Sequence, residues 1–496
     1  MEKLENKKQH HKEILGTSFF TGGAQAVTMV ANLIRVKFIA VFLGVVGFGF
    51  AALLLQATTL IQTITGMGIG SAGVRAIAAA NGKGDTDELG KIYNSIRAWS
   101  WILGLINLLI CVLFAEQLSQ TTFGNDSHRI DFMMIGFAAF LNQISMGQIA
   151  ILRGMRKIKD IALRTIRGAI IGLILTIPLY YFFGSKAIAP AIVLAALTNL
   201  LLSWLGVREY RNLCKSENFL KALKNGKALL HTGLGFIGSA IAAALATYLI
   251  SLIIRNEQGI DGNGYYQAAA GITLVLVNFI LAAMGQDYYP KLSSLIHDKE
   301  KACHLISAQV ETALLLAAPI LIGVSTMSPW LIKLAYTDKF LGVSGMVTWL
   351  AIGCIIRIIS WPLGFTLLAE GNPVKILASE IPANVLSVTM AWAGIHFWGL
   401  NGVAAAWALF YSIYWMGLSI YVHYRLGYVT EWRQGLLIFC IILLTTLGFW
   451  TNPWIGLCLT ILTGIFCIKK IFTIVNPQNR LIIWINNHPL LFKLLK

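Results

Sequence analysis

Apolar residues run in long blocks along this chain, and polar residues gather in the short stretches between them. A helix needs about 20 apolar residues to cross ~30 Å of hydrocarbon. Blocks of that kind lie at 14–42, 48–72, 98–116, 131–152, 168–184 and 187–207, then after a polar loop at 232–255, 264–286, 304–328, 346–368, 377–399 and 402–423. Two more, at 435–450 and 453–468, precede a tail. The pattern predicts an all-α polytopic membrane protein with fourteen transmembrane helices: residues 14–207 and 232–424 form two six-helix bundles joined by a cytoplasmic linker at 208–231. An additional helix pair occupies 435–468, with a polar head at 1–13 and a tail at 469–496.

Charge orients this array, because cytoplasmic loops retain Lys and Arg. Of the 39 basic residues, 31 fall in one set of loops and the two termini, and only Arg129, Lys186, Lys333 and Lys339 fall in the opposite set. Both termini are therefore expected in the cytoplasm, which requires an even number of spans. The net charge of +17 thus serves topology. Nucleic acid is excluded as a partner, since no polar stretch is long enough to fold a basic soluble domain.

The two six-span sets begin alike. In the first, Arg35 is followed by Gly44, "GFGFAA" at 47–52 and "GMGIG" at 66–70. In the second, Arg255 is followed by Gly259, "GNGYYQAAAG" at 262–271 and "AMGQDYYPKL" at 283–292. This recurrence predicts two pseudo-symmetric bundles with a cavity between them.

The sorting leaves four cations inside spans: Arg35, Lys37, Arg255 and Arg357. Each costs roughly 2.5–3.5 kcal/mol at a helix centre, so the spans that hold them need a polar outlet. In the first span Thr21, Gln25, Thr28, Asn32 and Arg35 are spaced 4, 3, 4 and 3, which places them on one stripe. Gln56, Thr59 and Thr63 continue it in the second span, Tyr248, Ser251 and Arg255 in the seventh, and Gln267, Gly271 and Asn278 in the eighth. Hydrogen bonding between helices is the bland alternative for any single Thr or Asn. The corresponding stripes in both halves favour a wet, cationic lumen.

Only Glu311 and Glu380 lie clearly within spans as carboxylates, with Asp287 at an inner edge. Each of the first two could neutralise an arginine, and all three are candidates for binding a coupling cation, H+ or Na+. With cations in excess, the ligand should be anionic. The guanidinium fork suits phosphate oxygens, so Arg35, Lys37, Arg255 and Arg357, with the polar Asn32, Gln25, Gln56, Gln267 and Asn278, are read as a phosphate or diphosphate site. Snorkelling to the headgroups competes for Lys37 and Arg255.

Other chemistries find no support. "GKGDTDELGKIY" resembles a phosphate loop, but Asp85 stands where a Walker motif needs its first Gly and Ile92 where it needs Ser or Thr. The nine histidines show no metal spacing, and His10–His11 sits in the polar head. Seven scattered cysteines, Cys214 among them, imply no disulfide framework. No resident cofactor or metal is expected, and the chain reads as a non-enzyme. The tail mixes Trp484 and leucines with Lys493 and Lys496, a composition suited to the inner membrane surface.

"FIAVFLGVVGFGFAALL" after the first span, "GMGIGSAGVRAIA" closing the second, "GYYQAAAG" and "GQDYYPKLS" around the eighth, and "GLNGVAAAWA" at 400–409 resemble the Wzx-type oligosaccharide flippases of the multidrug/oligosaccharidyl-lipid/polysaccharide (MOP) exporter superfamily, O-antigen translocases above all. The likeness covers about residues 14–425. It implies a flippase that moves undecaprenyl-diphosphate-linked oligosaccharide between leaflets of the bacterial cytoplasmic membrane by alternating access. It also implies membrane lipids, a polysaccharide polymerase and a chain-length regulator as partners. Many sugar flippases of this group have twelve spans, so fourteen departs from the pattern and leaves lipid II-type flippases open as relatives. A cation-coupled multidrug exporter is the alternative transporter, and a non-transporting assembly scaffold the alternative class.

Overall fold

The computed structural model describes the backbone of residues 2–211 and 217–474, and the side chains of 22–208, 210, 217–230, 237–285 and 287–471. Cys214, the side chains of His10, His11 and Thr21, and the tail from 475 onward with Trp484, Lys493 and Lys496 lie outside them. All regular structure among the described residues is helical. Contacts divide the chain into two compact units, Met1–Arg255 and Asn256–Lys496.

The first unit holds α1 (Glu2–Thr65), α2 (Ile69–Lys83), α3 (Thr86–Leu113), α4 (Ala115–Phe123), α5 (Arg129–Gly154), α6 (Ile158–Phe183), α7 (Ile188–Arg211), α8 (Phe219–Asn225) and the start of α9 (Lys227–Leu295). The second holds the rest of α9, α10 (Lys299–Thr326), α11 (Ser328–Ala335), α12 (Ser344–Ala369), α13 (Pro373–Leu426), α14 (Trp432–Trp450) and α15 (Pro453–Ile474). The helix of α1 runs back through the polar head to Glu2.

Among the described residues, ten stretches are long and apolar enough to cross a membrane. Four of them are double length, at 44, 51, 49 and 54 residues. Each of the four is broken once at a glycine: Gly44 (φ 67°, ψ −164°) in α1, Gly184 (φ 57°, ψ −136°) after α6, Gly259 (φ 76°, ψ 179°) in α9 and Gly399 (φ 60°, ψ −142°) in α13. Counting those stretches twice gives the fourteen spans of a multi-pass membrane protein. This backbone region is nearly closed to residues with a Cβ, so glycine is what lets two crossings join without a loop.

Gly44 and Gly259 stand where the internal repeat requires a turn after Arg35 and Arg255. The repeat's closing Met-Gly pair behaves differently in its two copies. Met67 (φ 46°) and Gly68 (φ 65°) form a left-handed turn that ends the first copy, whereas Met284 and Gly285 stay inside α9. A Cβ on Gly285 would lie 3.1 Å from the Trp361 ring, so there glycine admits a tight helix contact. The loop that imitates a phosphate motif is a plain helix junction: Gly84 ends α2 in the left-handed region and Asp85 caps α3 by accepting from Glu88 N at 2.9 Å.

The division between units falls in α9 after Arg255. The reason is local: the Tyr248 and Thr122 hydroxyls share a 2.6 Å hydrogen bond, and Arg255 reaches the end of α4, so this stretch of α9 packs with α4. The α14–α15 pair packs on α10, where Thr326 fills the positions that side chains on Gly448 and Gly456 would occupy. None of the described cysteines is paired; Cys111, Cys354 and Cys467 are buried, as small hydrophobes are.

Candidate functional site

The polar stripe of α1 is organised by its 3–4 spacing and faces a cleft of ≈ 390 Å³ inside the first unit, walled by α1, α5, α6 and α7. Thr28, Asn32 and Arg35 line it together, with Gln62 from the far part of α1. Asn142 and Ser145 come from α5, Arg164, Thr165 and Gly168 from α6, and Asn199 and Ser203 from α7. No carboxylate lies among the lining residues.

Glycines make the room. A Cβ on Gly172 would lie 3.2 Å from Nη2 of Arg35, one on Gly168 would lie 2.9 Å from Oδ1 of Asn199, and one on Gly206 would lie 2.7 Å from Nε of Arg164. Arg164 donates from Nη1 to Leu202 O at 2.7 Å. Nε of Arg35 and of Arg164 are both buried without an acceptor, and buried donors of this kind are uncommon in folded proteins. From Arg164 to Gly172, beside which Arg35 rests, α6 rises about 12 Å. Two unit charges about that far apart repel by only about 1.4 kcal/mol at an effective dielectric of 20, so both arginines can face one cleft. An anion midway would gain about 2.8 kcal/mol from each. The arrangement can hold an anion at two levels, with amides and hydroxyls between them to receive neutral polar groups.

Other predicted residues are placed elsewhere. Gln25 and Asn278 are exposed, and Gln56 is half-buried with its Oε1 unsatisfied. Lys37 and Gln267 both have interaction partners. The hydroxyls of Thr28, Thr59 and Thr63 donate to the carbonyls of Ala24, Leu55 and Thr59, so the threonines in these stripes bond their own helices. Arg255 donates from Nη2 to Thr121 O at 2.5 Å and lies against Gly124, where it satisfies the carbonyl end of α4.

In the second unit, the Arg357 guanidinium lies 6.0 Å from the centre of the Tyr411 ring. Tyr411 contacts Tyr414, whose hydroxyl donates to Oε1 of Glu380 at 3.0 Å. Arg357 and Glu380 are thus linked through two tyrosines without an ion pair. The other carboxylates have lysine partners: Glu311 takes Lys470 at 2.6 Å and Asp287 takes Lys291 at 2.5 Å. The alternative in which Glu311 neutralises an intramembrane arginine is not met among the described residues, because α15 brings Lys470 to it. Among the described residues, neither Arg35, Arg255 nor Arg357 forms a salt bridge.

Sequence reading misses Arg164, which it counts with the basic loop at 153–167. The signal was the start of α6 at Ile158, which puts Arg164 nearly two turns inside a helix. Gln62, Asn142 and Asn199 are missed because no periodic stripe marks them.

The fold is that of an all-helical multi-pass membrane protein, with the architecture of the MOP superfamily. The chain is similar in fold to the inward-closed lipid II flippase MurJ, at a TM-score of 0.69 and 15% identity over 92% of this chain and 99% of that one. It is also similar to an inward-facing multidrug resistance MATE family transporter of the MOP superfamily, at a TM-score of 0.64 and 17% identity over 81% and 94%. In sequence it is 22% identical over 416 residues to the lipid III flippase of Escherichia coli (strain K12), which spans 80% of this chain and 95% of that protein. Residues 14–296 match the polysaccharide biosynthesis protein family, and the chain belongs to that family.

Proposed function

We propose that the protein is a flippase for undecaprenyl-diphosphate-linked oligosaccharide, an O-antigen-like repeat unit, carried from the inner to the outer leaflet of the bacterial cytoplasmic membrane by alternating access. Both termini face the cytoplasm, as the basic loops require. The observation that carries this reading is the cleft in which Arg35 and Arg164 keep buried, unsatisfied donors and meet no carboxylate. The lipid II and lipid III flippases named above lend it support. Arg357, also without an ion pair, supplies a second cationic position. Glu380, held by a tyrosine in place of a cation, is the candidate for a coupling proton. An exporter of cationic drugs would call for acidic lining, which the described cleft lacks.

The test is flipping in proteoliposomes, read as exposure of the lipid-linked glycan to a membrane-impermeant lectin. A charged hydrogen bond to phosphate is worth about 1.5–3 kcal/mol, so Arg35→Ala and Arg164→Ala should each slow flipping by at least 10-fold at equal protein. Arg255→Ala should act mainly on stability, through the end of α4. Undiminished flipping in both cleft variants, or equal rates for a neutral glycolipid of the same size, refutes the assignment.

A further inference from the structure

On the side of α5 opposite the cleft lies a second concavity. The cleft takes Asn142, Ser145 and Ile149, while Phe140, Ile144, Gly147 and Ile151 line a groove of ≈ 890 Å³ bounded by α3 and α7. Helical spacing puts these sets on opposed faces, so the groove is separate from the site described above. Its lip is open and aromatic: Trp101 is 47% exposed, Trp204 46% and Leu201 53%.

We propose that this groove holds an anionic phospholipid from the leaflet on the basic side of the protein, its phosphate between Arg97 and Arg208 and an acyl chain along the groove. Both arginines line the groove and are exposed at its end. Arg97 has no hydrogen-bond or ion-pair partner among the described residues, and Arg208 makes only a cation–π contact, 5.7 Å from the Trp204 ring centre. Two guanidinium groups with no carboxylate partner among the described residues, at the boundary between transmembrane helices, are the charge pattern that recognises lipid headgroups. One turn deeper on α3, the Ser100 hydroxyl lines the groove, buried and without a hydrogen-bond partner.

Depth supports a lipid over a soluble anion. From Arg208 to Leu200 the groove descends eight residues of α7, about 12 Å, and from Ile151 to Phe140 eleven residues of α5, about 16 Å. The half-thickness of a ~30 Å hydrocarbon core is about 15 Å, so the groove ends where one leaflet ends. An acyl chain can lie along the apolar wall formed by Phe140, Ile144 and Leu201, a contact that a free phosphate could not make.

The experiment is native mass spectrometry of the purified chain released from mixed micelles of phosphatidylglycerol, phosphatidylethanolamine and phosphatidylcholine of equal chain length. The wild-type chain should retain phosphatidylglycerol preferentially, and Arg97→Gln with Arg208→Gln should reduce that retention at least fivefold. Leu201→Trp, which fills the groove and leaves both arginines, should reduce it likewise. Lys91→Gln with Lys224→Gln, exposed basic positions outside the groove, should retain it unchanged. The proposal is overturned if phosphatidylcholine is held equally well, if the arginine variant keeps its lipid, if the lysine variant loses it too, or if the retained mass is a polyprenyl lipid or a second copy of the chain.

Discussion

Replacing Gly44 by alanine tests how the double-length helices are built. Gly44 lies at φ 67° and ψ −164°, and an added Cβ would meet no atom within 4 Å. Packing therefore contributes nothing to the cost, which is the conformational strain of a residue with a Cβ in a region that only glycine occupies readily, about 1–3 kcal/mol. That is roughly a 5- to 150-fold change in the folding equilibrium. Gly82 offers the matched control: it lies in α2, has equally open surroundings and does not have a positive φ. There alanine should be neutral, or stabilising by up to about 1 kcal/mol. Equilibrium unfolding by SDS titration in mixed micelles, followed by helical circular dichroism, measures both. Gly184→Ala and Gly399→Ala should match Gly44→Ala, and Gly259→Ala should cost more, since its Cβ would lie 2.6 Å from Oδ1 of Asp261. Equal effects of the Gly44 and Gly82 substitutions would refute the idea that backbone conformation at the breaks demands glycine.

Two further outcomes follow from contacts away from the cleft. Glu370, in the turn between α12 and α13, is only 7% exposed and accepts from Lys375 at 2.6 Å, Arg425 at 2.9 Å and Tyr421 at 3.0 Å. Burial pushes its carboxyl up, but these partners outweigh burial and hold it below the usual range. Its folded value is thus the lower one, so its stabilisation is present above the unfolded carboxylate pKa and is lost as pH falls through the folded value. Glu370→Gln should cost about 1–3 kcal/mol at neutral pH and flatten the acid limb of a stability-against-pH curve. Gly448→Ala should drive a Cβ to within 2.1 Å of Thr326 Cγ2 and cost about 1–3 kcal/mol by overpacking; thermal unfolding together with protease access to the link between α14 and α15 would report it, and Thr326→Ser should relieve it.

Features that depend on neighbours along the chain can be read from the order of residues alone. Block length counts the crossings, because hydrocarbon thickness acts on each helix separately. The basic residues outside the predicted spans divide 31 to 4 between alternate connections, termini included, whatever the helices pack against. The glycines after Arg35 and Arg255 were legible as breaks, because only glycine enters that backbone region. The stripe from Thr28 to Arg35 was legible as one face, because helical period alone puts those residues together.

Which cations share a site depends on how the helices pack. Arg35 meets Gly172, and Arg164 meets Gly206, through the packing of α1, α6 and α7, and no spacing in the sequence encodes those approaches. Arg255 and Arg35 occupy the same place in the repeat, yet one ties down the end of α4 and the other opens onto a cleft, since α4 supplies carbonyls where α6 supplies glycine. Glu311 finds Lys470 because α15 lies on α10. A side chain's partner is set by residues far along the chain, and hydrophobic pattern specifies that a face is buried without specifying against what.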